Sequence, residues 1–283
     1  MAKFTNQAQL RYGNAVANSN ITVGEILEVL SASKTAVRKN YGQNDTVTYS
    51  ISIVNAGTAA VGGLTLTDEL GAYTFDTKTL TPLNYVEGTI KYYINGVLQD
   101  APAVTAGPPL VITGIQIPAG GNAQILYETQ VNEYAPLGVE GYITNQAVLS
   151  GGGITPVTVE ETVNAQNGPV LTITKSVSPV PVTENGTLTY TFLIQNFGNT
   201  PADEQEEVVV TDTFQPILSG LTVSYNGTAW TAGEDYTYDE TTGLFTTTAG
   251  KITIPGATYQ QDADTGVWSV SPGSAVLVVK GTL

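Results

Sequence analysis

The chain has 283 residues, 25 acidic and 10 basic, which gives a formal net charge of −15 at pH 7. This length accommodates about two domains, and the negative charge argues against nucleic acid or an anionic membrane surface as a partner. The chain contains no Cys and no His. It therefore lacks disulfides, thiolate metal sites and the commonest general base. The composition indicates no metal site and no cofactor, and it leaves a turnover enzyme as the least favoured function.

The N-terminal segment, residues 1–28, contains a short pattern that recurs inside the chain. Lys3–Leu10 reads KFTNQAQL and Tyr142–Leu149 reads YITNQAVL, so that Asn6 corresponds to Asn145. Polar and apolar residues alternate in both copies, which is typical of a β-strand with one buried face. The sequence therefore predicts that the N-terminal copy and the internal copy form the same kind of strand.

The similarity continues beyond this strand, because ITVGEI at Ile21–Ile26 resembles PVTVEET at Pro156–Thr162. We therefore predict a β-hairpin with a loop near Gly13–Asn20. The start of the chain has no apolar h-region, and no run of residues approaches transmembrane length. Membrane insertion is not expected.

Residues 29–166 and 167–283 repeat one pattern. NDTVTYSISIVNAGT at Asn44–Thr58 matches NGTLTYTFLIQNFGN at Asn185–Asn199, and LTLTDEL at Leu64–Leu70 matches VVVTDTF at Val208–Phe214. Strict alternation, abundant Thr and Val and closely spaced turn residues indicate two antiparallel β-sandwiches in tandem. The internal strand Tyr142–Leu149 closes the first sandwich. The second has no counterpart of that strand, so we expect it to be an incomplete acceptor domain.

Three kinds of polar residue fall on rows that otherwise read as apolar and inward-facing. Burying any of them alone would cost several kcal/mol, so they are expected to meet one another. They are Lys34 and Lys175, Asp68 and Asp212, and Asn145 and Asn6.

Two kinds of site fit this constellation. One is a buried salt bridge whose hydrogen bonds the Asn completes. The other is a self-formed Lys–Asn isopeptide bond, because burial favours a neutral amine nucleophile beside a protonated acid. The amine attacks the carboxamide, the acid shuttles protons and ammonia leaves, which is single-turnover chemistry only. Asp68 and Asp212 are the candidate catalytic acids, for a Lys34–Asn145 bond within the subunit and a Lys175–Asn6 bond between subunits.

The same residues carry a family resemblance. The resemblance covers Val29–Asn164 fully and Val170–Leu283 partly, and it is to the conserved repeat of bacterial surface proteins catalogued as domain-of-unknown-function family eleven. It lies in Leu171–Lys175, Thr187–Asn196, Val209–Asp212 and Ile143–Ala147. The resemblance implies immunoglobulin-like sandwiches in tandem on cell-surface and appendage proteins, with Lys–Asn isopeptide bonds promoted by an acidic residue. It also implies Lys34, Asp68 and Asn145 as one triad, whereas the second domain supplies no Asn.

The predicted hairpin offers donor residues for an incomplete domain: Phe4, Asn6, Ala8, Leu10, Ile21 and Val23. Too few residues separate Ile26 from the strand containing Lys34 for the hairpin to close its own second domain. Insertion into a neighbour would complete the open sheet by donor-strand complementation and propagate head to tail. The sequence thus favours an extracellular homopolymer, a pilus or a spore-surface appendage, with unknown tip or anchoring proteins. The alternative is a surface adhesin or surface-layer module that binds a glycan or a protein.

Overall fold

The computed structural model describes residues 2–26 and 28–283 and consists almost entirely of β-strands. The chain divides into two compact units: residues up to Asn132 together with Ile143–Val163, and Glu133–Tyr142 together with Asn164–Leu283. The predicted ranges 29–166 and 167–283 are continuous, whereas here Glu133–Tyr142 groups with the second unit. The all-β prediction is confirmed. Within the described residues, the one helical element is a 3-10 turn at Glu204–Glu206, and no helix is long and apolar enough to cross a lipid bilayer.

The N-terminal segment forms two short antiparallel ladders. Its strands are β1 (Ala2–Asn6), β2 (Gln9–Tyr12), β3 (Ala15–Asn18) and β4 (Thr22–Ile26). β1 pairs with β4 and β2 pairs with β3. Every side chain from Phe4 to Val23 is exposed. The segment is thus a hairpin whose apolar side chains face solvent.

The prediction of a loop near Gly13–Asn20 is wrong, because β3 lies within that range. Tyr12 is directly opposite Ala15, which leaves a two-residue turn at Gly13 and Asn14. Gly13 has a φ of 57°, a conformation that favours glycine at the first position of such turns. The tight turn fixes the pairing register of the hairpin.

This register divides the predicted donor residues between two faces. Directly opposite residues share a face of the sheet, and Thr5 is opposite Val23 while Asn6 is opposite Thr22. Neighbouring residues of a strand point to opposite faces. Val23 therefore lies on the other face from Phe4 and Asn6, whereas the internal pattern buries both Asn145 and Val159.

The first unit contains a sandwich of two six-stranded sheets. Its strands are β5 (Leu30–Ala36), β6 (Asn40–Tyr41), β7 (Thr46–Asn55), β8 (Val61–Asp68), β9 (Tyr73–Phe75), β10 (Lys78–Leu80), β11 (Leu83–Tyr85), β12 (Lys91–Ile94), β13 (Val97–Gln99), β14 (Ala103–Thr105), β15 (Leu110–Ile117), β16 (Asn122–Val131), β17 (Tyr142–Gly151) and β18 (Val157–Ala165). One sheet has the order β13-β12-β16-β7-β5, with β11 beside β16, and the other has the order β14-β15-β8-β17-β18-β6.

Alternation along the long strands builds the core of this sandwich. β7 buries Val47, Tyr49, Ile51 and Ile53 on one face. From the other sheet, β8 and β17 bury their predicted inward rows completely or nearly so, including Asp68 and Asn145. The closing strand β17 pairs with β8, with Ala147 opposite Asp68.

The second unit repeats this architecture with a smaller second sheet. Its strands are β19 (Leu171–Ser178), β20 (Thr187–Asn196), β21 (Thr211–Thr213), β22 (Ser219–Tyr225), β23 (Thr228–Trp230), β24 (Tyr236–Asp239), β25 (Leu244–Thr247), β26 (Thr258–Gln261), β27 (Trp268–Ser271) and β28 (Gly273–Thr282). One sheet has the order β19-β20-β28-β22-β23 and the other has the order β21-β25-β24. β26 and β27 form a separate hairpin.

Candidate functional site

Lys34 and Asp68 form an ion pair across the first sandwich. Lys34 lies on β5 in one sheet and Asp68 at the end of β8 in the other. Lys34 Nζ is 2.5 Å from Asp68 Oδ2, and neither side chain has any solvent exposure. Burial lowers the pKa of the Lys34 amine, and the charge of Asp68 opposes that shift. The structure thus joins two of the three predicted site residues of this unit.

Asn145 lies beside this pair on β17, two residues from Ala147, which is opposite Asp68. Its Oδ1 accepts a hydrogen bond from the backbone N–H of Gly71 at 3.0 Å. Its Nδ2 is buried and has no hydrogen-bond partner among the described residues. A buried unsatisfied polar group of this kind costs about 1–3 kcal/mol. The carboxamide is therefore held through its oxygen while its nitrogen is left unpaired.

Gly71 places its N–H at Asn145 because of its backbone conformation. Its φ is 72°, and a Cβ at this position would lie 2.5 Å from Ile143 Cγ2. Only glycine fits without displacing its neighbours. The N–H points at the oxygen that would carry negative charge if a nucleophile attacked the carboxamide, which is the geometry of an oxyanion hole.

Two tyrosines also contact the ion pair. The inward rows that contain the Lys, Asp and Asn residues did not predict these contacts. The Tyr127 hydroxyl donates a hydrogen bond to Asp68 Oδ2. Lys34 Nζ lies 4.8 Å from the centroid of the Tyr49 ring, which stacks on Tyr127 at 5.8 Å between centroids. The inward row of β16 is the sequence signal that predicts burial of the Tyr127 ring, but it does not specify the contact with Asp68. The Tyr49 hydroxyl has no hydrogen-bond partner in the described part of the chain.

The electrostatics of Tyr127 reflect its position between acid and amide. Burial and then the charge of Asp68 raise the pKa of the Tyr127 hydroxyl well above its usual range, and the Asn145 side chain acts in the opposite direction. Tyr127 is therefore a neutral hydrogen-bond donor near neutral pH. The site brings together an amine, a carboxyl group, a phenol and a carboxamide in a dry core.

In the second unit Lys175 and Asp212 also form an ion pair, but this pair is open to solvent. Their side chains are 40% and 19% exposed. Lys175 Nζ lies 4.6 Å from the Tyr190 ring centroid and 5.2 Å from that of Phe214. The residue opposite Tyr190 is Val279, whereas the residue opposite Tyr49 is Tyr127. This second pair therefore has no phenol equivalent to Tyr127.

The predicted burial of the row around Lys175 is wrong for the isolated chain. All residues of β19 are exposed, including Leu171, Ile173 and Val177. In the first unit, β17 and β18 belong to the sheet that faces the corresponding strand β5. The second unit has no such strands in the part of the chain that the structure describes. Its apolar row and its ion pair consequently remain uncovered.

The open position has a defined edge. In the first unit β8 pairs with β15 on one side and β17 on the other. Within the described residues, β21 pairs with β25 alone. The strand is three residues long, compared with eight in β8. Val209 and Ile217, which flank it, are 44% and 42% exposed.

Asn6, the predicted partner of Lys175, lies on β1 in the N-terminal hairpin. Its side chain is exposed, and its backbone oxygen accepts a hydrogen bond from the Thr22 hydroxyl at 3.2 Å. The other predicted donor residues for which exposure values apply are Phe4, Leu10, Ile21 and Val23, which are 55%, 64%, 60% and 63% exposed. The apolar side chains of the hairpin are therefore exposed to solvent.

Solved structures with a similar fold include bacterial surface proteins. The chain resembles the pilus backbone of Streptococcus pneumoniae at 14% identity and TM-score 0.35, covering 86% of this chain and 55% of that one. It resembles the major pilin subunit of Bacillus cereus at 12% identity and TM-score 0.35, covering 96% and 73%. It also resembles the collagen-binding subdomain of an Enterococcus faecalis surface protein at 7% identity and TM-score 0.31, covering 51% and 100%.

The chain thus spans 55% of the length of the pneumococcal structure that it matches. These structural similarities carry no functional conclusion for this chain, because all three TM-scores lie below 0.5. No protein-family model and no curated protein sequence matches the chain.

Proposed function

We propose that this chain is a structural subunit of a bacterial extracellular filament, a pilus or a spore appendage, that assembles head to tail. The N-terminal hairpin of one subunit inserts into the second unit of the next subunit by donor-strand complementation. Lys–Asn isopeptide bonds then form within and between subunits. The observation that carries the proposal is the open edge of β21, where an exposed lysine–aspartate pair lies next to uncovered apolar side chains.

The first unit supplies the template for this joint. There β17 covers β8 with Ala147 opposite Asp68 and Leu149 opposite Leu66. By the sequence correspondence, a donated strand would place Ala8 opposite Asp212 and Leu10 opposite Val210. Asn6 then occupies the position of Asn145, beside the acid and the lysine. The donated strand would pair with the free backbone groups of β21, and it would also bury the exposed apolar side chains of both partners.

The covalent part of the proposal rests on the unpaired amide of Asn145. Isopeptide formation removes this nitrogen as ammonia, so the buried donor that has no partner disappears from the core. Lys34 and Asp68 are already in contact and dry, which favours proton transfer from the amine to the acid. In the second unit the same chemistry awaits a donor, because Lys175 and Asp212 are partly exposed until a strand covers them.

The contact is heterologous, since the surface that donates differs from the surface that accepts. Such contacts extend into a fibre unless they close into a ring. We infer an extracellular location from this role, and membership of the bacterial surface-protein repeat family remains a proposal from the sequence resemblance. We infer no cofactor, and the chemistry is one turnover per site.

Deletion of residues 1–26 tests this function directly. The shortened protein should remain monomeric under conditions in which the full chain forms fibres visible by negative-stain electron microscopy. A synthetic peptide spanning Phe4–Glu28 should stop growth of full-length fibres by occupying open ends. Normal fibres from the shortened protein would refute the donor role. A full chain that stays monomeric and binds a glycan or protein would favour the adhesin.

A further inference from the structure

Tyr127 contacts the acid of the first site through its side chain, and the aligned position of the second unit carries a valine. Its hydroxyl donates to Asp68 Oδ2, the same oxygen that Lys34 Nζ approaches to 2.5 Å. The corresponding residue in the second unit is Val279, which is fully buried opposite Tyr190. The phenol is therefore not a general requirement for packing in this fold, and any relay through it is confined to the first unit.

The leaving nitrogen, Asn145 Nδ2, has no hydrogen-bonded proton donor among the described residues. Asn145 Nδ2 must gain a proton before it departs as ammonia, yet it has no hydrogen-bond partner among the described residues. Asp68 Oδ1 is held by the backbone N–H of Leu70 at 2.8 Å, and its Oδ2 is shared by Lys34 and Tyr127. The Tyr127 hydroxyl contacts this crowded carboxyl group, and the Asn145 side chain opposes the rise in its pKa, so Tyr127 lies near both the acid and the amide.

We propose that Tyr127 relays a proton from Asp68 to Asn145 Nδ2 during isopeptide formation in the first unit. This inference rests on the proposed crosslink and adds a residue to its mechanism. The Tyr127 hydroxyl gives its proton to Nδ2 while it takes one from the Asp68 carboxyl group, so the phenol is regenerated. The Gly71 N–H holds Oδ1 as negative charge develops there.

The steps balance without any external reactant. Lys34 first transfers a proton from its ammonium group to Asp68, which leaves a neutral amine and a neutral acid. The Nζ lone pair then forms a bond to Asn145 Cγ, and the carbonyl electron pair moves to Oδ1. Asp68 protonates Nδ2 through Tyr127 and then accepts one of the two protons that Nζ carries after the attack. Collapse of the intermediate breaks the Cγ–Nδ2 bond and releases ammonia, which leaves an amide and a neutral Asp68.

The chain provides a matched control for this role. Tyr49 is also fully buried and stacks on Tyr127, but its hydroxyl has no hydrogen-bond partner in the described part of the chain. Tyr49→Phe and Tyr127→Phe therefore each remove one buried oxygen from adjacent rings. Only the second change removes a hydroxyl that touches the acid.

The test follows crosslinking in the full-length chain after a short pulse of cell-free synthesis. Loss of ammonia is timed by intact mass, and the Lys34–Asn145 linkage is identified in tryptic peptides. Tyr127→Phe should slow the reaction at least about tenfold, the lower range of general acid–base effects. Tyr49→Phe should slow the reaction less than Tyr127→Phe, because its hydroxyl does not contact the acid, and Asp68→Ala should not react.

A second measurement separates proton transfer from packing. Ring-fluorinated tyrosine placed at position 127 keeps the hydroxyl and nearly the same shape but makes the hydroxyl more acidic. The crosslinking rate and its pH profile should change with the acidity of the substituted hydroxyl. This measurement does not depend on whether Tyr127→Phe folds. A rate that is insensitive to this acidity, or a wild-type rate in a folded Tyr127→Phe variant, would overturn the relay while leaving the crosslink intact. A wild-type chain that never loses ammonia would instead overturn the crosslink itself.

Discussion

Lys34 and Lys175 occupy equivalent positions in the two units and differ in their solvent exposure. The Lys34 side chain is completely buried against Asp68, whereas the Lys175 side chain is 40% exposed against Asp212. The difference arises because β17 covers the first pair, while β21 has an unpaired edge within the described residues. One chain thus contains a covered site and an open version of it.

The covered site leads to the first prediction. Wild-type monomer should lack the mass of one ammonia relative to its sequence, because Lys34 and Asn145 are joined. Lys34→Ala and Asp68→Ala should both restore the full mass, since one removes the nucleophile and the other the acid. Recovery of Lys34 and Asn145 in separate tryptic peptides of the wild-type protein would leave a salt bridge as the only role of the site.

The second prediction concerns the register of the joint. In the first unit Val148 is opposite Thr67, so the proposed joint places Gln9 of one subunit opposite Thr211 of the next. Because the chain contains no cysteine, Gln9→Cys combined with Thr211→Cys should give disulfide-linked subunits in oxidised fibres. Directly opposite residues are close enough for a disulfide, and residues two positions away are not.

The register control uses Gln9→Cys with Thr213→Cys, which lies two positions along the same strand. Mass spectrometry of non-reduced fibres compares the yields of the two combinations. A higher yield from the Thr213 combination would show that the donated strand is shifted from the register of β17.

The third prediction follows from the two faces of the free hairpin. Val23 lies opposite Thr5 and away from Asn6, whereas Val159, its internal counterpart, is 8% exposed on the same side as Asn145. Shifting the pairing of two strands by an odd number of residues exchanges the faces of one strand. To dock with the rows of Asn6 and Val23 both facing inward, β1 and β4 must therefore change register. An oxidised Thr5→Cys, Val23→Cys chain, which cannot shift, should therefore polymerise more slowly than the same chain after reduction. Light scattering would measure both rates, and equal rates would show that the free register is already competent.

The fourth prediction concerns Gly71. Gly71→Ala combines a positive φ with a Cβ only 2.5 Å from Ile143 Cγ2, and strain and overpacking each destabilise by about 1–3 kcal/mol. Gly88→Ala is the matched control, because Gly88 has a φ of 77° and no atom within 4 Å of its Cβ position. In denaturant unfolding, Gly71→Ala should lower the free energy of unfolding more than Gly88→Ala does. Gly71→Ala should also slow crosslinking. Equal losses would show that the close packing around Gly71 has no energetic weight.

Strand periodicity was sufficient to predict most of the fold and part of the site. The alternating rows placed Lys34, Asp68 and Asn145 in the core, and the same pattern placed Lys175 near Asp212. The pattern could not show that Lys175 is exposed, because exposure depends on the strand that covers the opposite sheet. It also could not show the face of Val23, since a two-residue turn rather than a buried row sets the hairpin register. Tyr127 was not identified as a site residue, because the inward row of β16 predicts only that its ring is buried. The contact of its hydroxyl with Asp68 depends on how the two sheets pack.

The stability of the intersubunit joint to boiling in detergent tests the central claim most directly. Wild-type fibres should persist as a ladder of covalent oligomers on a denaturing gel, because separation of Lys175 from Asn6 of the neighbouring subunit requires breaking an amide bond. Asn6→Ala should still form fibres, since most of the donor strand is kept, but boiling should reduce them to monomer. Complete collapse of wild-type fibres to monomer under the same conditions would contradict the covalent joint.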